Sequence, residues 1–79
     1  MQTLLRLPNV KDRTGRGRSS IYGDIRLGLF VSPVSIGARS VGWPSGEVDA
    51  LITARIAGKN DEEIRALVVK LEAARKAAS

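Results

Sequence analysis

The chain contains no cysteine and no histidine. Without cysteine no disulfide can staple it, and no thiolate can act as nucleophile or metal ligand. Without histidine a zinc site would rest on carboxylates alone, and the commonest general base is missing. No metal and no cofactor is expected. Aromatic residues are scarce too: Tyr22, Phe30 and Trp43 are the whole set. Single-strand binding on a row of stacked rings is therefore poorly supported, and the core has to come from Leu, Ile and Val. No apolar run approaches the roughly 20 residues of a membrane span. The start, MQTLLRLPNV, has no long apolar stretch and no small-residue cleavage pattern. It does not read as a signal peptide, and the expected location is the cytoplasm, in association with the nucleoid.

Seventy-nine residues allow one domain at most, of a size that buries only about 60% of its unfolded surface. With no disulfide and no metal, self-association or a ligand is the support that remains. What the chain has in excess is positive charge, unevenly spread. Residues 1–39 hold seven Lys/Arg against two Asp, a net of +5, while residues 40–79 hold six against six and are neutral. A polyanionic partner, nucleic acid first among them, is the expectation for the basic half.

That half also carries the pattern of a reader. Pro8 suits the first position of a short helix over residues 8–14, and Gly15 stops it in a left-handed turn. A second helix starts at Gly17 or Ser19 and ends at Gly28. Ile21 and Ile25 share its apolar face, in line with Leu29, while Arg18, Ser19, Tyr22 and Arg26 lie opposite. Gly23 inside it costs about 1 kcal/mol relative to Ala, so tertiary packing has to hold this helix. Val34-Ser35-Ile36 and Val41-Gly42-Trp43 alternate as strands around the turn Gly37-Ala38-Arg39-Ser40. Two such strands are not stable alone, so Val34, Ile36, Val41 or Trp43 must pack on the helices. The stretch from Arg13 to Trp43 thus reads as a helix-turn-helix followed by a hairpin with an arginine at its tip, a pairing that serves major-groove and minor-groove or backbone contact.

Pro44-Ser45 opens a third helix, with Val48, Leu51, Ile52 and Ile56 at helical spacing and Gly58 at its close. Asn60 caps a fourth, with Glu63 at capping-box distance. Asp61 with Arg65 and Glu72 with Lys76 stand at i,i+4. In that last helix Ile64, Leu67, Leu71, Ala74 and Ala78 form a heptad-like seam. Two readings stay open: a surface for assembly, or a stripe packed on the chain's own core. The first has weight because the preceding segment makes a small domain that would leave the seam short of partners.

The run LRLPNVKDRTG-RGRSSIYGDI-RLGLFVSPVSIGARSVGWPSGEVDALI resembles the AlpA family of small phage and prophage regulators, a winged helix-turn-helix similar to the MerR and excisionase group. The resemblance covers about residues 4–56 and rests on Arg6-Leu7-Pro8, Thr14-Gly15, Arg18-Ser19-Ser20-Ile21-Tyr22, Gly28-Leu29-Phe30, Pro33-Val34, Ile36-Gly37, Arg39, Val41-Gly42-Trp43 and Glu47-Val48-Asp49. It implies a recognition helix bearing Arg18, Ser19, Ser20 and Tyr22, a wing bearing Arg39, and DNA binding upstream of prophage or mobile-element genes. The chain departs from the family at Arg16-Gly17, where members usually have Leu-Ser, at Gly23, where a basic residue is usual, and at Ser35, where lysine is common.

Residue chemistry adds roles. Arg18 can bond guanine in a bidentate way or hold a phosphate. Tyr22 meets a base or phosphate, or lies half-buried under the wing. Arg39, with Ser40 beside it, enters a minor groove or stays a solvated turn residue. Lys11, Arg13 and Arg16 are expected as backbone anchors, and Trp43 as packing. Catalysis is not expected. The glycine-rich segments lack a phosphate-loop Lys-Ser/Thr, and Glu47 and Asp49 point to different helix faces. No small-molecule substrate and no membrane partner is expected.

The expected architecture is mainly α. A winged helix-turn-helix with a small two-stranded β-hairpin wing occupies residues 1–58, and residues 59–79 form a C-terminal helix as a candidate assembly element, through Ile64, Leu67 and Leu71. The expected function is that of a sequence-specific double-stranded DNA-binding transcriptional regulator, self-associating on DNA. One alternative is an excisionase that loads cooperatively and directs an integrase partner toward excision. An alternative of another class is a protein-interaction adaptor that uses the C-terminal helix.

Overall fold

A computed structural model describes residues 3–77. The order of elements is β1 (Leu4–Leu5), α1 (Leu7–Thr14), α2 (Arg18–Leu27), β2 (Val34–Gly37), β3 (Ser40–Pro44), α3 (Ser45–Ile56) and α4 (Asp61–Ala77). The mainly helical winged helix-turn-helix is present; α1 begins one residue earlier than expected, at Leu7, with Pro8 second, and the glycine stops are where expected. Gly15 and Gly28 end α1 and α2 at φ +68° and +78°, a left-handed conformation that costs a side-chain-bearing residue and not glycine. Gly17, rather than Ser19, is the cap of α2. At the start of α4 the capping box is closed: Glu63 N–H donates to Asn60 Oδ1 (2.9 Å) and Asn60 N–H to Glu63 Oε1 (3.1 Å).

The sheet has one strand more than expected. Its order is β1-β3-β2, with both pairings antiparallel. Leu4 faces Pro44 and Leu5 faces Trp43. The N-terminus is drawn on past the strand, since Ser45 N–H donates to Thr3 O (2.7 Å) and Thr3 N–H to Ser45 Oγ (2.9 Å). A two-residue strand has no periodicity to read, so the sequence shows only an apolar pair there. The wing strands are less buried than their alternation implies. Trp43 alone of the four candidate residues is fully buried; Ile36 and Val41 are exposed and Val34 is half-buried.

One core runs through the chain. It joins Leu5, Val10, Ile21, Leu29, Phe30, Val31, Trp43, Val48, Leu51 and Ala54 to Ile64 and Val68 of α4. This bears on the seam. Ile64 is fully buried, and Leu67 and Leu71 are half-buried against the same core. Ala74 is exposed, and Ala78 lies outside the described residues. Ile64, Leu67 and Leu71 therefore pack on the chain's own core, and Ile64 is not available to a second copy. The shared core includes Phe30 and Val31, which look like plain connector in the sequence. Ile56, expected to extend the α3 stripe, points to solvent at 82% exposure. Asp61 and Arg65 also depart from the i,i+4 reading: Asp61 faces Arg55 at 3.5 Å, and Arg65 Nε donates to Leu27 O at 2.9 Å.

Candidate nucleic-acid interface

The second helix presents two faces. Ile21 goes into the core at 1% exposure. Arg18, Ser19, Tyr22 and Arg26, the residues opposite, line one shallow surface groove of about 330 Å³. Their spacing of one, three and four residues puts them on adjacent turns of one side. No side chain caps the N-terminus of α2, so its first-turn N–H groups and the exposed Ser19 and Ser20 hydroxyls offer donors to an anion beside Arg18.

Three side chains link this face to the wing. The Arg18 guanidinium sits over the Tyr22 ring, 5.6 Å from its centroid. Tyr22 in turn meets Trp43 edge-on, with centroids 6.2 Å apart and planes at 66°. Trp43 is buried in β3 and donates from Nε1 to Val31 O at 3.1 Å. Tyr22 is thus half-buried at the foot of the wing, the bland of its two readings, while its ring still forms part of the groove. The stack steers the Arg18 side chain along the helix and leaves its N–H donors free of any carboxylate partner. Arg18 and Tyr22 stand at i,i+4, so this contact was available to sequence reasoning and was missed.

The remaining candidates are placed as follows. Arg39 is exposed in the two-residue turn between β2 and β3, and Ser40 is half-buried, paired with Gly37. Lys11 is exposed in the last turn of α1. Arg13 and Arg16, the other expected anchors, each have a carboxylate. Arg13 Nη1 lies 2.9 Å from Asp49 Oδ1, and Arg16 Nε lies 3.0 Å from Asp24 Oδ2. Surface pairs of this kind contribute about 0–1 kcal/mol, so a phosphate can compete for either arginine, but neither is a free charge in this structure. Among the described residues, the cations of the basic half without a carboxylate partner are Arg6, Lys11, Arg18, Arg26 and Arg39. Arg6 was not among the expected contacts.

A second hollow, of about 390 Å³, is floored by Leu29, Phe30, Leu51 and Ile52 and rimmed by Arg13, Arg16 and Arg55. Each of those arginines is paired with an aspartate, so this rim has no spare charge for an anion. Glu47, considered above with Asp49, is buried and paired with Arg75, while Asp49 is exposed and paired with Arg13. The two do not share a site. No cluster of potential metal ligands occurs among the described residues, and no helix among them is long and apolar enough to cross a membrane.

The sequence that forms this basic, hydroxyl-bearing helix face and the arginine-tipped hairpin matches that of a known family. Residues 3–56 match the model of the family described as Prophage CP4-57 regulatory protein (AlpA). The chain is also 43% identical over 58 residues to a protein of Enterobacteria phage P4, described as uncharacterized protein ORF88. That match covers 73% of this chain and 66% of the phage protein, just short of two thirds of its length. No solved structure matches the chain. With more than half of its length matched, wing and recognition helix included, the chain belongs to the AlpA family of prophage regulatory proteins.

Proposed function

We propose that this protein binds double-stranded DNA sequence-specifically, with α2 in the major groove and the wing against the neighbouring backbone or minor groove, and that it regulates transcription of prophage or mobile-element genes. The observation that carries this reading is the groove lined by Arg18, Ser19, Tyr22 and Arg26 on a helix that belongs to a winged helix-turn-helix of an AlpA-family chain. Arg18 and Ser19 supply base-edge and phosphate donors, Arg26, Lys11 and Arg39 supply phosphate contacts, and Tyr22 fixes the Arg18 side chain. The adaptor reading is weakened because the apolar side of α4 is occupied by its own core.

The test starts with selection of a duplex from a library with a randomised centre, followed by titrations on that duplex and on a scrambled one. Arg18→Ala is expected to cost about 1–3 kcal/mol on the selected duplex and to relax preference there, whereas Arg39→Ala weakens both duplexes alike if it meets backbone. With about five phosphates neutralised, log K falls against log salt with a slope of about −4 to −5. Selection of no sequence, with a slope near zero, would remove the DNA-binding reading. Unchanged affinity of Arg18→Ala on the selected duplex would remove Arg18 from the reader.

A further inference from the structure

The segment between the recognition helix and the wing, residues 28–33, belongs to no helix or strand. Its backbone is nonetheless tied down by side chains from distant parts of the chain. Arg65 Nε donates to Leu27 O at 2.9 Å, at the exit of α2. Trp43 Nε1 donates to Val31 O at 3.1 Å. Ser32 is held from both sides: its N–H donates to Glu72 Oε2 and its carbonyl accepts from Arg75 Nη2, each at 2.8 Å. Three of these four side chains come from α4. At positions 65, 72 and 75 they follow the helical repeat and lie beside the buried Ile64 and Val68, so packing of the apolar stripe delivers the polar groups to the connector.

Arg75 does more than hold Ser32. Its Nε and Nη2 also make paired bonds to Glu47, at 2.9 Å to Oε2 and 2.5 Å to Oε1. Ser32 stands two residues before β2 begins, and Glu47 three residues after β3 ends. One guanidinium therefore closes both roots of the wing. Glu47 and Arg75 side chains are only 10% and 25% exposed, which makes the pair stiffer than a surface bridge. A Cβ at Gly28 would make only ordinary contact with Arg65 Cγ, at 3.6 Å, so it is the left-handed φ of +78° and not space for Arg65 that calls for glycine there. Meanwhile α2 and the wing strands share few close backbone contacts of their own. Beside the Tyr22–Trp43 edge contact and α1, which packs on both α2 and β3, it is the connector that joins them, and the connector is held by α4.

We propose that α4 is a brace for the reading surface: with Arg75 closing the roots of the wing, Arg65 and Glu72 are the positioning residues that set the angle between the recognition helix and the wing, and so determine whether both engage one DNA site together. The consequence for DNA rests on the function proposed above; the brace itself does not. Loss of the brace lets helix and wing bind separately. Backbone contacts survive, because each half keeps its cations, but base readout that needs both in register is lost.

The experiment uses the full chain with Arg65→Ala and Glu72→Ala combined, and Glu72→Gln as the conservative partner, which keeps a side-chain oxygen for Ser32 N–H. The Arg75–Glu47 pair and the Ile64–Val68 stripe stay intact in both, so the fold is expected to hold, as circular dichroism and thermal melting would show. On the free protein, residual dipolar couplings of α2 and wing amides should fit one common orientation in wild type and in Glu72→Gln, and two different ones in the double variant. On DNA, the ratio of affinity for the selected duplex over the scrambled duplex should fall about tenfold in the double variant, with affinity for the scrambled duplex and the salt slope unchanged. A merely destabilising effect would lower both affinities in parallel. One common orientation in the folded double variant would overturn the brace. If wild type binds no duplex, the DNA reading fails and the couplings still decide the brace.

Discussion

Trp43→Ala is expected to leave the protein largely unfolded. Trp43 is the largest fully buried side chain, and it sits where β1, α2 and the connector converge: opposite Leu5 in the sheet, edge-on to Tyr22, and bonded to Val31 O. Truncating a buried tryptophan costs about 3–5 kcal/mol, and leaving the Val31 carbonyl without its donor adds about 1–3 kcal/mol. A chain of this length is worth about 4–12 kcal/mol in all, with no disulfide to limit the unfolded ensemble. Trp43→Phe separates the two effects. It retains most of the apolar volume and loses the N–H donor, so about 1–3 kcal/mol is the expected loss. Urea unfolding followed by circular dichroism measures both. A loss under about 1 kcal/mol for the alanine variant would mean that the core does not depend on this ring in the way described.

The second large effect belongs to Arg75. Arg75→Ala leaves Glu47, buried at 7% exposure, without its partner and strips the Ser32 carbonyl of its donor. Removing one member of a buried pair costs about 3–5 kcal/mol; a quarter of the Arg75 side chain is exposed, so the lower end is expected. Replacing both partners by methionine removes the stranded charge and should recover most of that loss. What stays lost is the Ser32 carbonyl bond, about 1 kcal/mol. The hydrogen bond from Arg75 to Glu47 is the main cause that raises the guanidinium above its ordinary value, with partial burial opposing it. A raised cation stabilises the fold at every pH below the unfolded value and ceases to do so only as pH climbs through the still higher folded one. The arginine side of the pair therefore gives no pH dependence in the neutral range. Equal losses for the single and the double variant in urea titrations would show that the stranded charge is not the cause.

Much of this fold is legible in the sequence because it is written in residues with strong local meaning. Gly15 and Gly28 stop helices, Asn60 with Glu63 starts one, and Ile21 opposite Arg18, Ser19, Tyr22 and Arg26 sorts a helix into a packed and an open face. The elements that escape are those with no local signature. Leu4 and Leu5 become a strand only because Pro44 and Trp43 stand opposite them. Phe30 and Val31 look like connector and turn out to be core, at 7% and 0% exposure, in the same cluster as Ile64 and Val68 of α4. Charge pairing was the least legible. Helical spacing couples Asp61 to Arg65, yet Arg65 turns to a backbone carbonyl in another element, and Arg13 and Arg16 find Asp49 and Asp24. Local spacing ranks neighbours along one helix, whereas carbonyls and carboxylates in other elements decide where a long cationic side chain ends.

On the function proposed above, α2 and the wing tip form one DNA-contacting surface. The most direct measurement is a titration of isotope-labelled protein with the selected duplex, followed through backbone amide and arginine Nε–Hε signals. The expected result is large shifts at Arg18, Ser19, Ser20, Tyr22, Arg26 and Arg39, with little change at Val69 and Lys70, which are exposed on α4. Shifts centred on α4, or shifts on α2 with none at Arg39, would contradict it.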